Sequence, residues 1–320
     1  MLDDLLSAGI AKISMGSAGN TLPSAALQSP ALQDARSFHD ALVSHGLVIP
    51  SHVPGLFGYS ARFEQVLDAI NNLITRVSFE DGAELMSFPP IIDRHVVERS
   101  GYAELFPGRC GAISALSSTP AATPDKPSDS LTQLALSPSA CFPLYPTMTG
   151  TLPEGGRLIT MMNWVFRHAP SVGPMSMLSF RVREFVRLGE RQEVVSWRDM
   201  WLQRGVELLS SLGLEATCAL DDKEPSGLDG WSHVRGTAEQ PQKHELCASM
   251  GGELPPAALA SLKLHYQHFG SLFNILTARG AIAHTACMGV GLARMTLALF
   301  HRHGFDVEAW PGGVRERLWP

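Results

Sequence analysis

Three arginines and a phenylalanine alternate along one short run, at Arg181, Arg183, Phe185 and Arg187. Arg167 precedes them across a loop that holds Pro170, Gly173 and Pro174. The flanks over 157–166 and 180–187 read as strands. On a strand, alternate residues share a face, so these arginines and Phe185 point one way while Val182, Glu184 and Val186 point the other. Guanidinium groups beside an aromatic ring are costly in a core. They suit a polyanion carrying a flat base, because guanidinium forks hold phosphate oxygens bidentately and a ring stacks on a purine. The plain alternative is a solvent-facing hairpin whose charges pair with acidic neighbours.

A second cluster, Gly289-x-Gly291-x-x-Arg294, joins a predicted strand (281–287) through a glycine turn to a predicted helix (292–303) that stops near Gly304. The glycines permit close backbone approach, and Arg294 adds a cation in the first turn of the helix. A dinucleotide fingerprint would need a third glycine where Arg294 stands and a following βαβ unit, and neither is there. A glycine turn with a surface arginine is the plain reading.

The elements that must position these residues are legible in outline. Residues 1–38 are rich in Ala, Ser, Gly and Pro and are expected to form a partly ordered arm within a lead-in segment, 1–59. From Ser60 onward, Phe63, Val66, Leu67, Ile70, Leu73 and Ile74 recur at helical spacing, with Ser60 as N-cap. Residues 83–88 form a short extended stretch ended by Pro89 and Pro90, and 94–102 a short helix. Residues of about 115–131 combine Pro, Ser and Thr with few large apolar side chains, and read as a mobile loop. A strand is expected at 215–220, a helix at 195–212 and a second long helix at 255–278. That last helix would place His265 and His268 one turn apart on a half-exposed face, and His301 and His303 would sit in the last turn of the helix after Arg294. Strands separated by turns and one-sided helices point to a mixed or antiparallel sheet rather than repeated βαβ units.

At 320 residues, with 45% apolar and 18% charged, the chain can bury a substantial core. A formal net charge of −6 lacks the basic field usual in nucleic-acid binders, so neither tRNA nor DNA is expected as a partner. The acidic start has no basic, apolar secretory pattern, and no apolar run reaches the length of a bilayer span. A cytoplasmic protein without membrane contact is expected. Five widely spaced cysteines without a CxxC argue against a disulfide framework there, leaving buried thiols or metal ligands.

Together these runs resemble the signature motifs of class II aminoacyl-tRNA synthetases. Phe166-Arg167 and Arg181-x-x-x-Phe185 look like motif 2, Gly289-x-Gly291-x-x-Arg294 looks like motif 3, and 86–108 is similar to motif 1, the dimer-forming segment of that class. The resemblance implies an α/β (α+β) catalytic domain over 60–320, built on a synthetase-like antiparallel sheet flanked by helices, in a homodimer. It also implies that Arg167 holds the ATP α-phosphate and a carboxylate, that Arg181 and Arg294 reach the outer phosphate, and that Phe185 stacks on adenine. Motif 2 commonly carries an acid two residues after its first arginine and another four after its phenylalanine. Here those places hold Ala169 and Gly189, with Glu190 adjacent, which leaves the ligands of Mg2+ with ATP open.

The pattern is more closely similar to atypical seryl-tRNA synthetases of methanogens and to their bacterial relatives, the amino acid:[carrier protein] ligases. In both, a Cys, a motif 2 Glu and a Cys before motif 3 bind one Zn2+, and Cys141, Glu184 and Cys287 stand at the matching positions. Two thiolates and a carboxylate leave a fourth position open for a substrate amino group. The region before motif 1 is too short and too poor in basic residues for a tRNA-gripping domain. The expected function is therefore ATP-dependent activation of a small amino acid, glycine or alanine class, and transfer to the phosphopantetheine thiol of a carrier protein. The alternatives are a seryl-type core charging tRNA and a non-catalytic synthetase paralogue acting as a binding subunit. One geometric question stays open. Strict alternation sends Glu184 away from Phe185, so either a twist or bulge joins them or the metal lies across the sheet from Phe185.

Overall fold

The structure, a computed structural model, describes residues 34–115, 130–168, 173–220, 242–250 and 254–320. Most of the expected arm, residues 116–129 of the expected loop, and Ala169 lie outside the described residues, while the loop's expected ends, Ala115, Ser130 and Leu131, belong to strands.

Seven strands build the central sheet. They are β1 Glu84–Leu85, β2 Arg157–Phe166, β3 Ser179–Gly189, β4 Ala216–Leu220, β5 Gln242–Ala248, β6 Ala257–Tyr266 and β7 His284–Gly291. Their order is β4-β5-β6-β7-β3-β2-β1. All neighbours run antiparallel except β1 and β2, which are parallel. β3 lies between β7 and β2 and keeps an unbroken register with both, pairing Glu184 with Gly289 on one side and with Met161 on the other. No bulge interrupts it, so its side chains alternate strictly.

Three helices cover the face toward which the odd-numbered side chains of β3 point. In α1, Ala61–Val77, the Ser60 Oγ accepts from the Phe63 backbone N–H at 3.4 Å, and the predicted apolar stripe is buried. In α2, Arg191–Ser211, Glu190 and Glu193 close a capping box, and Trp201 is buried against Phe185. The third, α3, is Leu292–His303. The opposite face is closed by the stretch around Cys141, a short helix at His268–Phe273, and the region of Tyr102 and Phe106.

The expected long helix at 255–278 is corrected: its first half is β6, and only His268–Phe273 is helical. Ala and Leu favour helix locally, but the run Ser261-Leu262-Lys263-Leu264-His265 alternates with period two, and Leu262 and Leu264 are buried beneath the sheet. His265 and His268 therefore do not share a helix face. His265 is on β6, whereas His268 places Nε2 3.2 Å from the Ser100 carbonyl. Gly289 and Gly291 are likewise strand residues of β7 rather than a turn, with Gly291 acting as the N-cap of α3. Among the described residues, no helix is long and apolar enough to cross a membrane.

Candidate active site

Unbroken alternation of β3 decides the open question. Phe180, Val182 and Glu184 line a pocket, while Arg181, Arg183 and Phe185 face the helices. Arg181 Nη2 donates to the Glu64 carboxylate at 2.6 Å, and its guanidinium stacks 5.1 Å from the Trp164 ring. Arg183 donates to Thr160 Oγ1 at 2.8 Å and to Asn71 Oδ1 at 3.2 Å. Phe185 is completely buried, its ring centroid 5.7 Å from that of Trp201. The ATP contacts expected of Arg181 and Phe185 are corrected accordingly: both residues serve the packing of α1 and α2 on the sheet.

The pocket supplies another aromatic in their place. The guanidinium carbons of Arg167 and Arg294 lie 5.6 Å and 5.8 Å from the ring centroid of Phe180. Arg167 follows the last residue of β2 and is fixed by donation from Nε to the Pro138 carbonyl at 2.9 Å. Arg294, in the first turn of α3, donates to the carbonyls of Met175 at 3.1 Å and Ala258 at 3.2 Å. Burial, and then the nearby positive charge of Arg167, pull the Arg294 pKa down. Two cations held in a half-buried pocket at a mutual electrostatic cost, both against one ring, are chemically suited to an anion attached to a flat group. Gly289 and Gly291 form part of the lining, so the β7 side of the pocket is backbone. Glu245 and Lys243, on the unpredicted strand β5, complete the rim and pair at 3.1 Å.

The other end of the same pocket holds Cys141, Glu184 and Cys287, whose potential ligand atoms all lie within 4.8 Å of one another. The three predicted metal-site residues are thus brought together from a loop and two adjacent strands. Ser139 Oγ donates to the Glu184 carboxylate at 3.3 and 3.4 Å and lies 3.5 Å from Cys141 Sγ. Burial pushes the Cys141 thiol well up, reinforced by Cys287 and by Glu184. Burial also raises Glu184, against the lowering effects of Cys141 and Arg167. Such a set is expensive to ionise alone, and a bound divalent cation removes that cost. Two soft sulfurs and one carboxylate fit Zn2+ better than Mg2+.

His265, expected on a half-exposed helix face with pocket contact left open, is a strand residue that lines the pocket. A register shift in β6 between Leu264 and Tyr266 inserts it as an extra residue opposite β7, and Tyr266 adopts a left-handed φ of 49° beside it. Its Nε2 consequently lies 3.5 Å from Cys287 Sγ and its Nδ1 3.2 Å from Thr285 Oγ1. Burial holds its pKa well below the usual imidazole value. The alternating polar residues Ser261, Lys263 and His265 were the available signal.

Known proteins with this sequence and fold narrow the chemistry. Over 278 residues, 83% of each chain, the protein is 34% identical to amino acid--[acyl-carrier-protein] ligase 2 of Bradyrhizobium diazoefficiens. The chain belongs to the amino acid--[acyl-carrier-protein] ligase family. It is similarly 34% identical to ligase 1 of the same organism, over 82% of this chain and 85% of that one. A more distant relative is the type-2 serine--tRNA ligase of Methanopyrus kandleri, 25% identical over 57% of this chain and 37% of that protein. No family model matches. In fold, the ligase chain superposes on the Methanopyrus kandleri SerRS, solved in complex with Aquifex aeolicus tRNASec, with a TM-score of 0.76 at 19% identity, covering 91% of this chain and 61% of that one. Prolyl-tRNA synthetase from Cryptosporidium parvum gives 0.66 at 12% identity, covering 87% and 54%. The expected class II synthetase architecture is therefore the fold of this ligase.

Proposed function

We propose that this enzyme condenses a small amino acid, of the glycine or alanine class, with ATP and passes the aminoacyl group to the phosphopantetheine thiol of a carrier protein. The observation that carries this reading is one pocket with two ends. The Arg167–Phe180–Arg294 stack lies at one end and the Cys141–Glu184–Cys287 set at the other.

ATP enters with its base on Phe180 and Arg294 and its α-phosphate toward Arg167. An oxygen of the substrate carboxylate attacks the α-phosphorus, the bond to the β-phosphate bridging oxygen breaks, and pyrophosphate leaves. Arg167 and Arg294, pre-set by their backbone acceptors, offset the charge that grows on the phosphates without having to reorganise. Mg2+ travels with the nucleotide. In this reading Glu245, a carboxylate of the pocket lining paired with Lys243, approaches it. Cys141, Glu184 and Cys287 would hold Zn2+, which when bound supplies a Lewis-acidic position for the neutral amino group of the substrate. The carrier thiol then loses its proton, its sulfur attacks the carbonyl carbon of the adenylate, and AMP departs to leave a thioester. The chain itself forms no covalent intermediate, so its contribution is positioning and electrostatics.

The homodimer of this reading uses the sheet edge. Leu85 is 74% exposed and Met162 and Trp164 are each 40% exposed, along β1 and β2 and next to the motif 1 segment. We place the enzyme in the cytoplasm, where ATP and reduced thiols coexist. The test offers radiolabelled glycine, alanine and serine with ATP to both phosphopantetheinylated carrier and tRNA. Amino-acid-dependent ATP–pyrophosphate exchange and label on the carrier are expected. Label on tRNA alone would favour a synthetase, and no exchange with any small amino acid would sink the enzymatic reading.

A further inference from the structure

The Tyr145 ring is wholly buried, stacked flat on Phe269 at a centroid distance of 3.9 Å and an interplanar angle of 7°. Its hydroxyl lies against Cys141, with Cys287 and Glu184 nearby. Yet apart from that contact with a thiol, a weak acceptor, the hydroxyl has no hydrogen-bond partner among the described residues. A buried donor left with so poor an acceptor is destabilising, so it calls for a reason. On the other side of the cluster, the bulged His265 reaches Cys287 with Nε2, and its own Nδ1 is engaged by Thr285. The left-handed backbone at Tyr266 is strain of the kind that persists when a neighbouring side chain must be aimed.

We infer that Tyr145 and His265 are a matched pair of positioning donors, one for each sulfur of the Cys141–Glu184–Cys287 set, which set how tightly that set holds its metal. This rests on the metal reading proposed above. The neutral thiol of Cys141 is a poor acceptor. Once a cation draws off its proton, the thiolate becomes a good one, and the Tyr145 O–H then has somewhere to donate. With Thr285 giving its hydroxyl proton to Nδ1, His265 carries its own proton on Nε2 and donates to the Cys287 thiolate. Ser139 does the same for Glu184. Each donor withdraws electron density from its ligand and fixes its direction, so each sulfur bonds the metal in one orientation with tempered basicity.

This arrangement predicts opposite effects with and without the metal. Tyr145→Phe removes a hydroxyl whose neighbour in the metal-free protein is only the Cys141 thiol, so the metal-free thermal midpoint should stay the same or rise. The same change should weaken zinc about 10- to 100-fold in competition with a chelator of known affinity. It should also shift the sulfur-to-metal charge-transfer band of the cobalt(II)-substituted protein. His265→Asn, which removes the Nε2 donor from the other sulfur, should move affinity and band in the same sense. Native affinity and an unchanged band in Tyr145→Phe would overturn the inference alone, as would a lower midpoint in the metal-free form with affinity unchanged. Absence of stoichiometric zinc in the native chain would overturn the metal reading itself, and this inference with it.

Discussion

At the scale of single residues, the two phenylalanines of β3 separate packing from recognition. Phe180→Ala should weaken ATP binding, since a ring stacked on a base contributes about 1–3 kcal/mol, and should also lower the thermal midpoint, because the ring is only 7% exposed. Phe185→Ala should lower the midpoint alone. It empties a fully buried site against Trp201 and should cost about 3–5 kcal/mol of stability, with the folded fraction binding ATP normally. Comparing calorimetric melting with nucleotide titration for the two variants checks both. Arg167→Ala should depress pyrophosphate exchange on the order of 100- to 1,000-fold without unfolding the chain, as loss of a pre-set charge donor does. The metal cluster adds a dependence on pH. Because Cys141 and Glu184 both titrate above their usual values when buried, each holds its proton in the metal-free protein at higher pH than a free side chain would. Zinc uptake should therefore release protons and tighten as pH rises. Calorimetry in buffers of different ionisation heat would measure that release, and Glu184→Gln should reduce it.

At the scale of elements, β7 gives a cleaner test than its glycine pattern promised. Gly289 sits in register between Ser261 and Glu184, and an added Cβ there would meet Val182 at 3.5 Å and Ser261 at 3.9 Å, both ordinary contacts. Gly289→Val should consequently fold with little change in stability yet raise the KM for ATP, because the new methyls occupy the pocket floor. A matched loss of stability would show instead that backbone packing requires the glycine. How much of this was readable beforehand follows from the kind of signal each element carries. The helix after Ser60 announced itself through an N-cap and a helical apolar stripe, and Arg157–Phe166 through a run of β-formers. Arg167 and Arg294 lay in runs whose residue types and spacing point to an anion, whereas Cys141, Glu184 and Cys287 have no compact ligand spacing and were legible only through the family resemblance. β6 was lost because Ala and Leu argue locally for helix, and a bulge such as that at His265 leaves no mark in a sequence. Phe180 was overlooked for a different reason: motif spacing reveals which residues recur, whereas side-chain parity along a strand decides which of them face the ligand.

At the scale of the whole molecule, the uncovered sheet edge and the two-ended pocket make separate demands. If Leu85 and Met162 meet a second copy, Leu85→Glu with Met162→Glu should convert a dimer into a 34.6 kDa monomer in sedimentation, with a near-native circular dichroism spectrum. Unchanged mass would assign that edge to another contact. The strict register of β3 has a further consequence, for mutational tolerance. In the proposed reading, the base-stacking Phe180 and the metal ligand Glu184 both sit at even positions of one strand, and the helix anchors at the odd ones. Inserting one residue near Ser179 would exchange the two sets. Arg183 and Phe185 would turn to the substrate while Glu184 was pressed against α1 and α2, so both halves of the chemistry would fail in one step. Inserting two would return each class of side chain to its own side, displaced along the strand. The strand thus behaves as an arithmetic constraint: length changes there are filtered by whether they are odd or even before their size matters.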